Sequence, residues 1–303
     1  MKNSIMKSLI VGLGVQGKKR AKCLKKNSYL KFDRLSKHSD YKNFDQIPFN
    51  KISHAYLCLP EQEKFKYILK LLKKRIHILV EKPLILNKNQ KKLITKLLKK
   101  KRATLYTAYN HRFEPHLVET KKILKKDTIG KIYNLELYYG NGTAKLWKNS
   151  WREKNKYSIL HDLGVHLLDI FYYWFNFIPK NFTTFVKSKN ELKCYDFFKF
   201  NSKEKFNSTF TTSVIDWRNK FEANIIGEKG SLHITNLCKW GPSKLILRKR
   251  KFPSGKPKDK TKILSMQDPT WKKEEKYFRD ISKNNKNNFL NDIMIKKSLD
   301  KIL

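Results

Sequence analysis

A glycine-rich segment near the amino terminus has the spacing of a phosphate-binding turn. A GxGxxG pattern directly follows the apolar run 8–13 (SLIVGL) and opens a helical segment. In such a strand–turn–helix unit the first glycine permits a tight turn, and the second lets a pyrophosphate approach the backbone. The third allows close packing of helix on strand, and the helix amino terminus offers free N–H groups. The predicted cofactor contacts in this turn are Gly12, Gly14, Val15, Gln16 and Gly17.

An acidic residue is expected after the second strand of this unit, where it would bind the ribose 2′-hydroxyl. Asp33 lies at the expected distance of about 20 residues from Gly12 and is the candidate. Its neighbours Arg34, Ser36 and Lys37 could instead receive a 2′-phosphate. The sequence therefore predicts NAD or NADP as cofactor and leaves the choice between them open.

Glu81, Lys82 and Pro83 end another apolar run, Ile76–Val80. Ligands of an open parallel sheet bind beyond the carboxyl ends of its strands, so Lys82 is expected where a nicotinamide would lie. The proline keeps Lys82 out of helical geometry and so restricts the direction of its side chain. The alternative is an ordinary surface lysine in a lysine-rich chain. Position, rather than residue type, distinguishes Lys82.

Asp162 and His166 lie four residues apart, which places them on one face if the segment is helical. A carboxylate beside an imidazole raises its basicity and selects its tautomer, as acid–base chemistry requires. A plain helix-surface pair would have the same spacing, so the pair gains weight only together with the other motifs.

The order of these motifs resembles the Gfo/Idh/MocA oxidoreductase family. GxGxxG, EKP, the segment 109–113 (YNHRF) and DxGxH follow one another, and segments 151–152 and 224–231 extend the similarity over most of the chain. The resemblance implies a Rossmann domain followed by an α/β domain on a large open sheet, with the active site in the cleft between them. It also implies an NAD(P)-dependent enzyme that moves hydride to or from a hydroxyl or keto carbon of a sugar, sugar nucleotide or related polyol.

The resemblance assigns roles to individual residues. Lys82 would orient the substrate and stabilise its oxygen, His166 would be the general acid/base, and Asp162 would support it. Pro60 and Glu81 would contact the cofactor. The implied substrate contacts are Lys82, Asn110, Arg112, Trp151, Arg152, Asp162 and His166.

Two departures from the family pattern concern the site. Residues 157–161 (YSILH) stand where the family often has glycines, and Leu59, Pro60 and Lys64 stand in its TPxxxH stretch. These departures bear on substrate identity and rate more than on fold. They motivate an alternative in which the chain is a catalytically weak or inactive dinucleotide-binding protein of the same fold that can also bind a polyanion.

The elements that must position these residues change character along the chain. Apolar runs alternate with helical patterns up to about residue 111, which predicts a parallel sheet. From residue 112 strand-like stretches follow one another, with one helical pattern at 163–175, which predicts a mostly antiparallel open sheet. The fold class is therefore α/β, with a Rossmann domain over 1–111 and a substrate-binding and oligomerisation domain over 112–303. Residues 248–262 are predicted to form an exposed loop, and 271–303 two helices.

Composition restricts the function classes. The 303 residues include 68 Lys+Arg and 26 Asp+Glu, a formal charge of +42. Lysine predominates over arginine, which nucleic-acid readers favour for bidentate contacts, so a nucleic-acid partner is not expected. Four scattered cysteines predict neither a zinc site nor a disulfide framework, and no metal is expected. No apolar run is long enough to span a membrane. A cytoplasmic protein, dimeric or tetrameric because an open sheet face needs a cover, is expected.

Overall fold

The computed structural model describes residues 6–303, and their contacts divide the chain into two compact units. The first unit contains the residues up to Asn110 together with Trp271–Ile293, and the second contains His111–Thr270 together with Met294–Leu303. The division into domains over 1–111 and 112–303 stays a prediction. Residues 1–5, which the predicted first domain includes, lie outside the described residues.

The first unit is built on a parallel sheet of five strands. Its order is β2-β1-β3-β4-β5. The strands are β1 (Lys7–Val11), β2 (Tyr29–Phe32), β3 (Ile52–Leu57), β4 (His77–Glu81) and β5 (Leu105–Ala108). The helices between them are α1 (Val15–Cys23), α2 (Glu61–Lys73) and α3 (Lys88–Lys101). The strand order reverses between β1 and β3, which is the crevice where such sheets bind ligands. The predicted parallel Rossmann sheet is confirmed.

Both faces of this sheet are covered, which explains why its strands are continuous apolar runs. Alternate residues of a strand point to opposite faces. Leu9 and Val11 therefore pack with Ile68 of α2 and Ile94 of α3, while Ile10 packs on the other side.

A helix from the carboxyl-terminal segment covers that second face. In α7 (Thr270–Ser282), Phe278 is fully buried against Ile10, Tyr56, Leu79 and Tyr106 of the sheet. This packing is the physical reason why 271–293 belongs to the first unit. The last helix, α8 (Phe289–Ile302), is shared, since its residues up to Ile293 belong to the first unit and the rest to the second.

The second unit contains a sheet of eight strands, in the order β13-β12-β11-β10-β6-β9-β8-β7. All neighbouring pairs are antiparallel except β6 and β9, so the predicted mostly antiparallel sheet is confirmed. The strands are β6 (Ile132–Gly140), β7 (Thr183–Ser188), β8 (Phe197–Ser202), β9 (Asn207–Ser213), β10 (Lys220–Gly227), β11 (Gly230–Thr235), β12 (Ser243–Lys249) and β13 (Lys258–Leu264). The helices are α4 (Pro115–Lys125), α5 (Ala144–Trp147) and α6 (Val165–Phe175). Helix α6 is buried over most of its length, because its residues are apolar nearly all round.

The prediction of an exposed loop over residues 248–262 is wrong in part. Strands β12 and β13 pair through seven residues each, from Ser243 with Leu264 to Lys249 with Lys258. The segment is exposed, but its backbone forms a β-hairpin. Interstrand backbone hydrogen bonds do not require apolar side chains, so amino-acid composition did not indicate these strands.

The helices of the described chain were compared in length and hydropathy with a membrane-spanning helix. In residues 6–303, no helix combines the length and the apolar character that a membrane span requires.

Candidate functional site

The glycine turn joins β1 to α1 and is closed by backbone contacts that exclude larger residues. Gly12 has φ +90°, and a Cβ there would lie 2.4 Å from the carbonyl oxygen of Cys58. A Cβ on Gly17 would lie 2.0 Å from the carbonyl oxygen of Gly12. Both positions therefore require glycine in order for the turn to pack.

Gly14 differs, because the space beside it is open. A Cβ there would meet no described atom within 4 Å. Gly14 caps α1 and, as a glycine, has no side chain to accept a hydrogen bond from the first turn, which also contains no acidic residue. The N–H groups at Val15 and Gln16 thus begin a helix that lacks a side-chain cap. This arrangement fits the pyrophosphate of a dinucleotide.

Asp33 directly follows β2 and binds the backbone of the glycine turn. Its carboxylate accepts hydrogen bonds from the backbone N–H groups of Leu13 (2.8 Å), Leu35 (2.9 Å) and Ser36 (3.0 Å). Partial burial opposes ionisation, but these hydrogen bonds outweigh it and lower the pKa of Asp33. The adjacent Arg34 donates to Glu63 (2.9 Å) and to the Tyr67 hydroxyl (3.2 Å). A fixed negative charge therefore stands where the ribose is expected, and the neighbouring cation is directed to α2.

The EKP segment begins at the last residue of β4. Glu81 is bound by Arg20 of α1 (2.7 Å), and the same guanidinium binds Glu274 of α7 (2.7 Å). Lys82 is half-buried, and its peptide bond to Pro83 is cis.

Pro60 lies at the cap of α2, directly beyond the carboxyl end of β3. The predicted cofactor residues of the first unit are thus brought to one edge of its sheet, and Glu81 lies there as part of a buried ion network.

Asp162 and His166 lie on two consecutive helical elements of the second unit. Asp162 lies in the π-helical turn Leu160–Gly164, and His166 is the second residue of α6. Such single π turns occur often at functional sites. The helical pattern that the sequence predicts over 163–175 is present, and it begins within this wider turn.

Two aromatic rings for which the sequence predicted no role in the site, those of His111 and Tyr139, pack against His166. The ring of His111 lies 4.2 Å from that of His166 between centroids, and the ring of Tyr139 lies 5.7 Å away. All three are at least nine-tenths buried. Burial and then the charge of Asp162 raise the pKa of Tyr139. The alternation of β6, with Leu135 and Tyr139 on one face, could have indicated this tyrosine.

The remaining predicted substrate contacts are more dispersed. Asn110 and Arg112 lie in a 3₁₀ turn, Asn110–Phe113, and Arg112 binds the buried Asp169 through two hydrogen bonds of 2.8 and 2.5 Å. Trp151 is exposed, with the Arg152 guanidinium 4.6 Å above its ring. Arg112 therefore has a structural partner on α6, which its sequence motif did not reveal.

Within residues 6–303 no group of three or more His, Cys, Asp or Glu side chains has an arrangement that could bind a metal ion.

Comparison with known proteins yields two family matches that together cover most of the chain. Residues 6–109 match the oxidoreductase family with an NAD-binding Rossmann fold, GFO_IDH_MocA. Residues 117–233 match the GFO/IDH/MocA C-terminal domain.

Individual relatives are distant. An oxidoreductase of Formosa agariphila is 23% identical over 192 residues, which are 60% of this chain and 59% of that protein. Glucose-6-phosphate 3-dehydrogenase of Bacillus subtilis is 23% identical over 137 residues, which are 42% of this chain and 39% of that protein. The chain thus aligns with less than two thirds of either relative. The structure of levoglucosan dehydrogenase in complex with NADH and levoglucosan has a TM-score of 0.78 at 14% identity, covering 98% of this chain and 96% of that one. This last likeness shows the shared fold.

Proposed function

The chain belongs to the Gfo/Idh/MocA family of oxidoreductases, and from this we propose that it transfers hydride between NAD(P) and a hydroxyl or keto carbon of a sugar or related polyol. The observation that carries the proposal is that each unit holds one of the two groups of side chains that such a reaction needs. The first unit has an open glycine turn after β1 and Lys82 directly after the carboxyl end of β4. The second has Asp162 on a π-helical turn and His166 as the second residue of α6.

The glycine turn and Asp33 would hold the cofactor, with the pyrophosphate at the N–H groups of α1. When bound, the nicotinamide accepts or supplies the hydride. The ionised Asp33 would repel a 2′-phosphate, and Arg34 is engaged by Glu63. We therefore expect NAD to be preferred over NADP.

His166, Lys82 and Asp162 would together accept or return the proton that accompanies the hydride. In the oxidation direction the carbinol C–H bond breaks as hydride leaves, and the hydroxyl proton passes to an imidazole nitrogen of His166 as the C=O bond forms. Lys82 would donate a hydrogen bond from Nζ to the reacting oxygen. Asp162 would stabilise the imidazolium. Acid–base help of this kind accelerates reactions about 10²–10⁴-fold.

The substrate class rests on chemistry and on distant relatives. One relative is named for glucose 6-phosphate and one structural neighbour contains levoglucosan, and both compounds carry ring hydroxyls. A formal charge of +42 favours an anionic derivative such as a sugar phosphate or sugar nucleotide. Asn110, Trp151 and Arg152 stay candidate substrate contacts. Arg112, which is bound to Asp169, would act chiefly by holding the turn that carries Asn110. A homodimer or homotetramer stays our expectation.

The second candidate is a non-catalytic dinucleotide-binding protein. The specific observation in its favour is that residues 157–161 (YSILH) replace the glycines often found before the DxGxH motif. Two of them, Ile159 and Leu160, are fully buried where the π-helical turn begins. Under this candidate the protein would bind NAD and turn over nothing.

A single assay separates the two candidates. Purified protein is supplied with NAD or NADP and a panel of myo-inositol, glucose, glucose 6-phosphate, levoglucosan and UDP-glucose, and absorbance of the reduced nicotinamide is followed. We expect turnover of at least one compound, faster with NAD, and a loss of about 10²–10⁴ in kcat for His166→Asn and for Lys82→Met. NADH binding without turnover across the panel would favour the second candidate, and unchanged kcat in both variants would refute the assigned roles.

A further inference from the structure

Lys64 of α2 is unlike the other lysines of this chain. Of the described lysines, it alone is less than a tenth exposed, with 3% of its side chain accessible. A buried ammonium is costly unless it is paired and hydrogen-bonded. The contacts that compensate this cost therefore indicate what the side chain does.

The compensating contacts lie at the segment that follows Lys82. The Lys64 ammonium binds Glu61 Oε2 at 2.8 Å and donates to the carbonyl oxygen of Pro83. Glu61 Oε1 in turn accepts the backbone N–H of Ile85 at 2.7 Å. One ion pair in the first turn of α2 thus binds the backbone on both sides of Leu84.

The segment is held from its other end as well. Glu81, the residue before Lys82, is bound by Arg20 at 2.7 Å. Lys82 therefore lies between two residues, Glu81 and Pro83, that buried cations bind. The backbone from which the Lys82 side chain projects is therefore held on both sides.

Electrostatics is consistent with a structural cation at Lys64. Burial lowers the pKa of its ammonium, and the charge of Glu61 counteracts this effect. The charge on Lys82 lowers the pKa of Lys64 further, by a smaller amount. Removing Lys64 would leave Glu61 without its cation and Pro83 without its donor.

We propose that Lys64 is a positioning residue for Lys82, acting through the Pro83 carbonyl without touching substrate or cofactor. This inference rests on the proposed function, in which Lys82 binds the reacting oxygen. Displacement of a catalytic group by about 1 Å can cost 10²-fold in rate. Lys64 would thus affect the chemical step while leaving cofactor binding intact.

The test compares Lys64→Met with Lys66→Met, which removes an exposed lysine from the same helix. With the best substrate of the panel above, we expect Lys64→Met to lower kcat about 10- to 100-fold, with less than a threefold change in KM and in NADH affinity. The deuterium isotope effect on kcat should rise, because hydride transfer becomes rate-limiting. Lys66→Met should behave as wild type. Lys64→Arg, which retains a donor and a positive charge, should recover part of the loss and covers the case in which the methionine variant does not fold.

A double variant shows whether the effect passes through Lys82. In a Lys82→Met background, Lys64→Met should cost less than twofold in kcat, because the group that it positions is absent. A full additional loss, a parallel loss of NADH affinity, or wild-type kcat in a folded Lys64→Met protein would each overturn the inference. If the wild type turns over nothing in the panel, the proposed function fails first, and the inference fails with it.

Discussion

At the scale of single residues, Arg20 serves two carboxylates at once. Its guanidinium binds Glu81 and Glu274, each at 2.7 Å, and all three side chains are at most 12% exposed. Tyr106 also donates to Glu274, at 3.2 Å. One cation shared between two buried carboxylates cannot fully compensate both. Burial raises the pKa of Glu274 to about 7, with the charge of Glu81 adding to this against the attraction of Arg20.

A raised carboxyl pKa predicts how stability depends on pH. The folded state keeps the proton on Glu274 up to about pH 7, while the unfolded chain releases it near 4.5. Between these values the folded state binds more protons, so its stability falls as pH rises. We expect Glu274→Gln to gain about 2–3 kcal/mol relative to wild type between pH 5 and pH 8. Urea unfolding at both pH values measures this difference, and parallel pH profiles for the two proteins would contradict it.

At the scale of elements, the β1–α1 turn contains one glycine that the fold requires and one that it does not. Gly17 is required by the fold, since a Cβ would lie 2.0 Å from the Gly12 carbonyl oxygen. Gly14 is not, since no described atom lies within 4 Å of a Cβ at that position. The two glycines of one motif therefore have distinct physical roles.

A matched pair of alanine variants tests these roles. Gly17→Ala should lower stability by about 1–3 kcal/mol, because backbone must move to admit the methyl group. Gly14→Ala should change stability by less than about 0.5 kcal/mol but weaken NADH binding at least tenfold, since the methyl group fills the space proposed for the pyrophosphate. Thermal melting and fluorescence titration with NADH measure the two effects. Wild-type NADH affinity in Gly14→Ala would argue against a pyrophosphate at this turn.

At the scale of the whole molecule, lysines account for most of the +42 charge, and among the described lysines only Lys64 is buried. Strand β13 is an example. It lies at the edge of its sheet, and Lys258, Lys260 and Lys262 project from it. Edge strands commonly carry lysine because it prevents pairing with other chains. These three lysines therefore have a role that requires no polyanionic partner.

Salt dependence tests this interpretation. We expect a 20-base-pair DNA duplex to bind weakly at 50 mM salt and to lose more than about 100-fold in affinity by 200 mM, as non-specific binding through many phosphates does. NADH, with only a pyrophosphate to neutralise, should lose about tenfold or less. Fluorescence anisotropy and NADH fluorescence measure the two affinities. Nanomolar duplex binding that persists at 200 mM salt would instead support a polyanion-binding function.

Features that depend on near neighbours along the chain were predictable from the amino-acid sequence alone. Apolar runs and helical periodicity identified the parallel sheet, and the spacing of Gly12, Gly14 and Gly17 located its glycine turn. The apolar pattern of 163–175 likewise predicted a helix. Each of these depends on interactions within a few residues, so composition and spacing report them directly.

Contacts between residues far apart in the chain became visible only in the folded protein. Glu274 reaches Arg20 from 254 positions away, and Phe278 brings α7 to the first sheet. Lys64 looks like any lysine of an amphipathic helix until the Pro83 carbonyl is seen beside it. Tyr139 and His111 join His166 because β6 and a 3₁₀ turn pack against α6. Such pairings depend on the free energy of burying charge and aromatic rings against particular partners, which a local pattern does not encode.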